Sequence, residues 1–596
     1  MRLRHAFRAA VVASAVSVAA CGGGGGGTAP LTSLPAVTPT PAAGATPSPS
    51  PVPTATPVAT ATPTSQAAPS IGLLAAIPGG AFGGTTTAGA TGATLVGIAT
   101  GLQGSSGSAV TTVGSTSVGV NGVGGNALRR SAARPPIDIS DLPVEFQPSA
   151  SKRVVRDALP AIRRGAPGEL ATGSVRRPRA LPTAIGATAK LWAQNAAIGS
   201  SSGTYQQVDA TLAAVTTHGY IWVDSSLTSV LGTPSTVAAI GTDYENGWAS
   251  DNAHFGTDAY DATLYAPASA CDANGNVVGT TQPYVAHDVR TVVFVVNPGS
   301  LGGGVGGYFD SINFFTDSFL QCFASARTAG AHSNAAQMIY LGWFGPGGGN
   351  NSLSFTLQED LVRGAAHEYQ HLVNFVGHVV RMNGAAYEDA FIDEGLAMLA
   401  QDLALPRMFP QLSNDALDAV GRANRFLDAP QNFSLTGFSG IDNAASSTTP
   451  KYNCSGCYGV SYLFQRYLYD RFGGDAYLTQ VETGKSVGLA KLGTVTGQAP
   501  DVLLSDFGLT LAAGGATTDA RFRIPGFAFG SALTTQFGGT VSVHTPATVN
   551  ATPGSGLFAG PFNGGYILIG VPGAGSNVTI REKTGAFAFK AGIAQH

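Results

Sequence analysis

The chain is poor in charge. Of its 596 residues only 11% are Asp, Glu, Lys or Arg, against about 25% in an ordinary globular chain. The formal net charge is −3, which excludes the global basic field that holds nucleic acid. Beyond the N-terminus no apolar run approaches the roughly 20 residues that a spanning helix needs, which excludes a multispan membrane protein. Cysteine is sparse: Cys21, Cys271, Cys322, Cys454 and Cys457. Cys454-Ser455-Gly456-Cys457 has no second Cys-x-x-Cys to complete a zinc knuckle and no βαβ context for a redox motif. Glycine (80) and proline (35) are abundant instead, and they gather in segments that cannot build a core.

The first 21 residues form a leader. Arg2, Arg4 and Arg8 precede a short apolar stretch, Ala9 to Ala20, too short to span a bilayer and of signal-peptide form. Its end, Val18-Ala19-Ala20-Cys21, resembles the bacterial lipobox. That resemblance implies cleavage before Cys21, lipidation of Cys21 and an exported lipoprotein held at the outer membrane's periplasmic face or at the cell surface. In an oxidising compartment the four remaining cysteines are expected to pair, Cys454 with Cys457 and Cys271 with Cys322.

Residues 22–128 read as a low-complexity tether, first Pro/Thr/Ala-rich and then Gly/Thr/Ser/Val-rich, with at most a weak β segment after residue 71. Residues 129–185 concentrate arginine and read as an exposed connector or a removable propeptide. A β-rich part is expected over 186–350, a helical part over 351–514 and a small β segment over 515–596. Strand signals include Tyr220–Val223 and Thr291–Val296. Asn274-Gly275 marks a hairpin. Asp272–Asn276 begins like a calcium loop but has Val277 where glycine is required. Gly302–Gly307 matches a dinucleotide-binding glycine pattern without a helix behind it, and reads as a flexible loop.

The chemistry lies in the helical part. Thr356 and Glu359 form a capping-box signature. The helix they open runs about 24 residues to Val380, where Asn383-Gly384 ends it. Further helices are expected at about 388–403 and 458–472. The first contains His367-Glu368-Tyr369-Gln370-His371. Four residues turn a helix by about 400°, so both imidazoles share one face about 6 Å apart along the axis and can reach one Zn²⁺. Glu368 can then act as general base toward a water on the metal.

A catalytic zinc needs a third ligand and an open position. His378 shares the face but sits about 10 Å further along, too far for the same ion. Glu394, at the start of the second helix in Phe391-Ile-Asp-Glu-Gly-Leu-Ala, is the better candidate and would complete a His₂Glu set. A carboxylate must also orient the histidines; Asp389, Asp393 and Asp402 are available, and the choice among them stays open.

HEYQH followed by Asp393-Glu394-Gly-Leu-Ala resembles the gluzincin peptidases. Taken with Tyr458-Gly-Val-Ser-Tyr-Leu-Phe-Gln-Arg, the set is more closely similar to the hyicolysin family of bacterial secreted zinc metallopeptidases, over about residues 190–510. The resemblance implies an α+β zincin-like peptidase with zinc ligands His367, His371 and Glu394, and Glu368 as base. It also implies that Tyr458 donates a hydrogen bond to the developing oxyanion. Asp393 departs from the asparagine common in gluzincins. The expectation is a membrane-anchored zinc endopeptidase with one Zn²⁺ per chain, acting on proteins or peptides as a monomer. The competing reading is an adhesion or substrate-binding lipoprotein whose zinc site is structural or vestigial.

Overall fold

The computed structural model describes strands between 70 and 121, residues 144–145, 149–164, 181–195, 204–260, 284–343, 357–440 and 451–550 with short breaks, strands at 270–271 and 277–278, and strands from 558 to 595. Residues 1–21, read as a leader ending at Cys21, lie outside the described residues. The fold is α+β: a mixed β-sheet followed by a helical region.

The sheet has seven strands: β1 (Val144–Glu145), β2 (Thr188–Asn195), β3 (Thr204–Val215), β4 (Gly219–Asp224), β5 (Thr291–Val296), β6 (Val305–Phe309) and β7 (Met338–Gly342). Their order is β1-β6-β7-β5-β4-β3-β2. β5 is parallel to both neighbours, with Val293 opposite Ile221 and Ile339. Its six residues are all buried, which explains a continuous apolar run in place of alternation. β6 runs antiparallel to β7 and parallel to β1. Val305–Gly307, expected in a flexible loop, therefore belong to a strand.

The longer helices are α1 (Ser149–Arg164), α2 (Pro234–His254), α3 (Leu357–Phe375), α4 (Ala390–Met408), α5 (Leu417–Leu427), α6 (Ser455–Arg471) and α7 (Pro500–Ala513). α3 continues through one π-helical turn, Val376–Val380, and the chain reverses near Gly384, whose φ is +73°. α3 packs against α2, α4 and β6–β7, while α6 packs against α4 and α5. Gly395 allows the α4–α6 approach: a Cβ there would meet the Ser461 carbonyl and Gln465 Cγ at 2.7 Å each.

Two helices depart from expectation. α2 lies inside the segment read as β-rich. Its buried positions include Gly241, Asp243, Gly247, Ser250 and Asp251, so the sequence shows no apolar stripe. α1 lies inside the stretch read as an exposed connector. Its Val154, Val155, Ala158, Leu159 and Ile162 are at most 5% exposed and join the main core. Burial of each larger side chain contributes about 1.5–3 kcal/mol. Helical spacing was present there, but it is interleaved with Arg153, Arg156 and Arg163.

The Gly/Thr-rich stretch before residue 122 and the C-terminal segment pair with each other. Gly92–Ala99 runs antiparallel to both Tyr566–Pro572 and Phe589–Gln595, and Ala109–Val113 to Asn577–Glu582. The Tyr566 hydroxyl donates to the Leu504 carbonyl at 3.2 Å, fixing this β layer to α7. Ala270–Cys271 and Val277–Val278 pair antiparallel, as the hairpin signal requires; the turn itself lies outside the described residues. So does Thr356 of the expected capping box.

Candidate metal centre

His367 and His371 stand one turn apart on α3, their ring centroids 4.8 Å apart and nearly perpendicular at 79°. α4 brings Glu394 to them. Its Oε2 lies 3.4 Å from His367 Nε2 and 3.6 Å from His371 Nε2. Tetrahedral bonds of about 2.0–2.1 Å place ligand atoms about 3.3–3.4 Å apart, so the spacing suits one small cation. Among the described residues this is the group of His, Cys, Asp and Glu side chains that could hold a metal ion.

Burial tests the fit. His367 and Glu394 are 0% exposed. Neither ring nitrogen of His367 and neither carboxylate oxygen of Glu394 has a hydrogen-bond partner among the described residues. Buried polar groups left unsatisfied are costly, and a metal ion would satisfy these together. Two imidazoles and a carboxylate are the donor set of a catalytic zinc. Burial would raise the Glu394 carboxyl, but the two histidines outweigh it and hold it below the usual carboxylate range. Burial would likewise lower the His371 imidazolium, but Asp393 and Glu394 outweigh it and hold it well above the usual imidazole range.

Of the three acids left open by sequence, Asp393 orients the centre. Its Oδ1 accepts from His371 Nδ1 at 2.7 Å. With Nδ1 donating to Asp393, it is Nε2 that points to Glu394 and would meet a metal. Asp402 serves elsewhere: its Oδ2 accepts from Arg466 and from the Tyr462 hydroxyl, at 2.8 and 2.9 Å. His378 takes no part in the centre. Its Nδ1 and Nε2 lie 2.9 and 2.8 Å from the Gly484 and Val481 carbonyls.

Glu368 is 1% exposed and faces β6. A Cβ on Gly307 would meet Glu368 Oε1 at 3.0 Å and the Tyr340 carbonyl at 2.7 Å. Gly307 is therefore a site residue that sequence reasoning passed over. The signal was the glycine run, read for its spacing and not for close backbone approach.

Tyr458 lies near the start of α6 and is fully buried. Its ring is centred 6.5 Å from that of His367. The Arg422 guanidinium, carried by α5 and 1% exposed, stands 4.7 Å over the Tyr458 ring. Nothing in the sequence marked Arg422, since the α5 stretch carries no motif. Cys454 caps α6 and is disulfide-bonded to Cys457, with Cα atoms 5.1 Å apart. Cys322 is also disulfide-bonded; the side chain of Cys271, its expected partner, lies outside the described residues.

No protein-family model matches the chain, and no curated protein matches it. The functional reading rests on the geometry above.

Proposed function

We propose that the protein is an exported, lipid-anchored zinc endopeptidase. The observation that carries this reading is the buried His367–His371–Glu394 group, two of whose members have no hydrogen-bond partner among the described residues, with an acid beside it on the same helix. Zinc bound there would supply a Lewis acid that polarises a peptide carbonyl and brings the pKa of water toward about 7. Glu368 takes a proton from the attacking water and delivers it to the departing amine. Asp393 keeps His371 in the tautomer that offers Nε2. Tyr458 donates its hydroxyl proton in a hydrogen bond to the developing oxyanion, and Arg422 holds the phenol ring in place by cation–π contact. Anchoring follows from Cys21; no helix among the described residues is long and apolar enough to cross a membrane. Substrates are proteins or peptides, and the enzyme acts as a monomer.

The test is casein digestion by the full-length protein in detergent, followed by mass-spectrometric peptide mapping. Internal cleavages that vanish on chelation and return with zinc support the reading. Zinc binding without any cleavage, in a protein whose Glu368 is intact, would favour a binding lipoprotein with a structural metal.

A further inference from the structure

The stretch between β1 and β2 holds a residue that reaches the centre. Lys152 of α1 places Nζ 3.2 Å from Asp393 Oδ2, across 241 residues of sequence. Asp393 thus has one oxygen on His371 Nδ1 at 2.7 Å and the other on a cation. The pair is shielded, with the side chains 14% and 4% exposed. A carboxylate held at one oxygen can still rotate; held at both, it fixes the plane of the imidazole it supports. In so dry a place a charged partner on the second oxygen also offsets the cost of burying the carboxylate.

The helix that carries Lys152 is itself anchored. Five side chains of α1 lie in the core. Arg163 Nε donates to the Gly384 carbonyl at 2.5 Å, in the turn between α3 and α4. A Cβ on Gly384 would collide with Ile162 at 2.8 Å. The Lys152 ammonium also lies 5.3 Å over the Tyr387 ring, which limits its alternatives.

We propose that Lys152 is a positioning residue of the metal centre, acting through Asp393 on His371, and that α1 is part of the working site and not of a disposable leader. The proposal rests on the metal reading above only for what His371 binds. Any proteolytic cut between residues 165 and 180 then leaves α1 in place and the centre intact.

The test compares the full-length protein with Lys152→Met, which keeps the stem and removes the charge, with Lys152→Arg, and with Arg153→Met on the exposed side of α1. Zinc affinity is read by competition with a chromophoric chelator. The His371 Nδ1 proton is read by NMR of the metal-free, ¹⁵N-histidine-labelled protein. The expected result is zinc binding about tenfold weaker in Lys152→Met, the low end for a residue supporting a ligand. It is regained in Lys152→Arg and unchanged in Arg153→Met. The Nδ1 proton is slowed in exchange wherever residue 152 is a cation and is lost in Lys152→Met. Unchanged affinity and an unchanged proton in Lys152→Met overturn the proposal. A rise in peptide cleavage in Lys152→Met also overturns it, since α1 would then restrain the site. If no form binds zinc while the proton behaves as expected, the peptidase reading fails and the role of Lys152 stands.

Discussion

Two buried histidines of one continuous helical stretch, His367 and His378, are both 0% exposed. They differ in what they meet. His378 has a backbone carbonyl within 2.9 Å of each ring nitrogen, so whichever nitrogen carries the proton finds an acceptor in the 481–484 turn. Among the described residues His367 has no hydrogen-bond partner on either nitrogen, and neither has the Glu394 carboxylate 3.4 Å away. Burial alone does not mark a site. Several open donor atoms converging within ligand distance of one another do, because one bound cation would offset the cost of burying them all.

That contrast predicts how the two halves of the helix break. The largest effect belongs to Glu368→Gln, expected to lower peptide cleavage by about 10²–10⁴-fold with zinc content unchanged. Tyr458→Phe is expected to lower kcat by about 10²–10³-fold, again with zinc retained. If its KM rises instead and kcat holds, the tyrosine binds substrate and the oxyanion role is wrong.

Zinc binding itself should depend on pH. Asp393 and Glu394 keep a proton on metal-free His371 to well above the usual imidazole range, and zinc must displace it. Apparent affinity is therefore expected to rise with pH, by up to about tenfold per unit, in chelator-competition titrations. A flat profile between pH 6 and 8 would remove His371 from the ligand set.

The scaffold side answers in stability. His378→Ala removes a ring N–H that serves a backbone carbonyl of the 481–484 turn and is expected to cost about 1–3 kcal/mol in denaturant unfolding, with zinc affinity unchanged. His367→Ala should do the reverse in the metal-free protein, lowering zinc affinity while costing less stability.

The last effect is the cleanest in sign. Burial pushes the carboxyls of Glu388 and Glu482 up to about 8. The folded protein thus holds protons that the unfolded chain has lost above about 4.5. Their contribution is full below that value, falls as pH rises toward 8, and is flat beyond. Unfolding midpoints of the metal-free protein should decline from pH 5 to 8. Glu482→Gln, which keeps an acceptor for Gln370 Nε2 at 2.7 Å, should flatten part of that decline.

The contrast also shows what the sequence could reveal. The metal group was legible because its chemistry is local: two histidines at helical spacing, then an acid opening the next helix. Strands β4 and β5 announced themselves by apolar runs and α3 by its end signals, and α4 and α6 fall at stretches read as helical. What stayed hidden depends on distant approach. Asp393 could not be chosen over Asp389 and Asp402 until α4 was set against α3. Gly307 matters only because β6 passes Glu368, and Arg422 only because α5 covers Tyr458. α2 buries small and polar residues, so it lacks the stripe that reveals a helix. α1 has the stripe, set among arginines that suggested solvent.

The most direct measurement is peptide mapping of casein by the wild-type protein and Glu368→Gln at matched zinc content. Internal cleavages in the wild-type digest that are absent from the variant digest are the predicted result. Cleavage that persists in the variant, or wild-type protein with full zinc and no cleavage, would contradict the account.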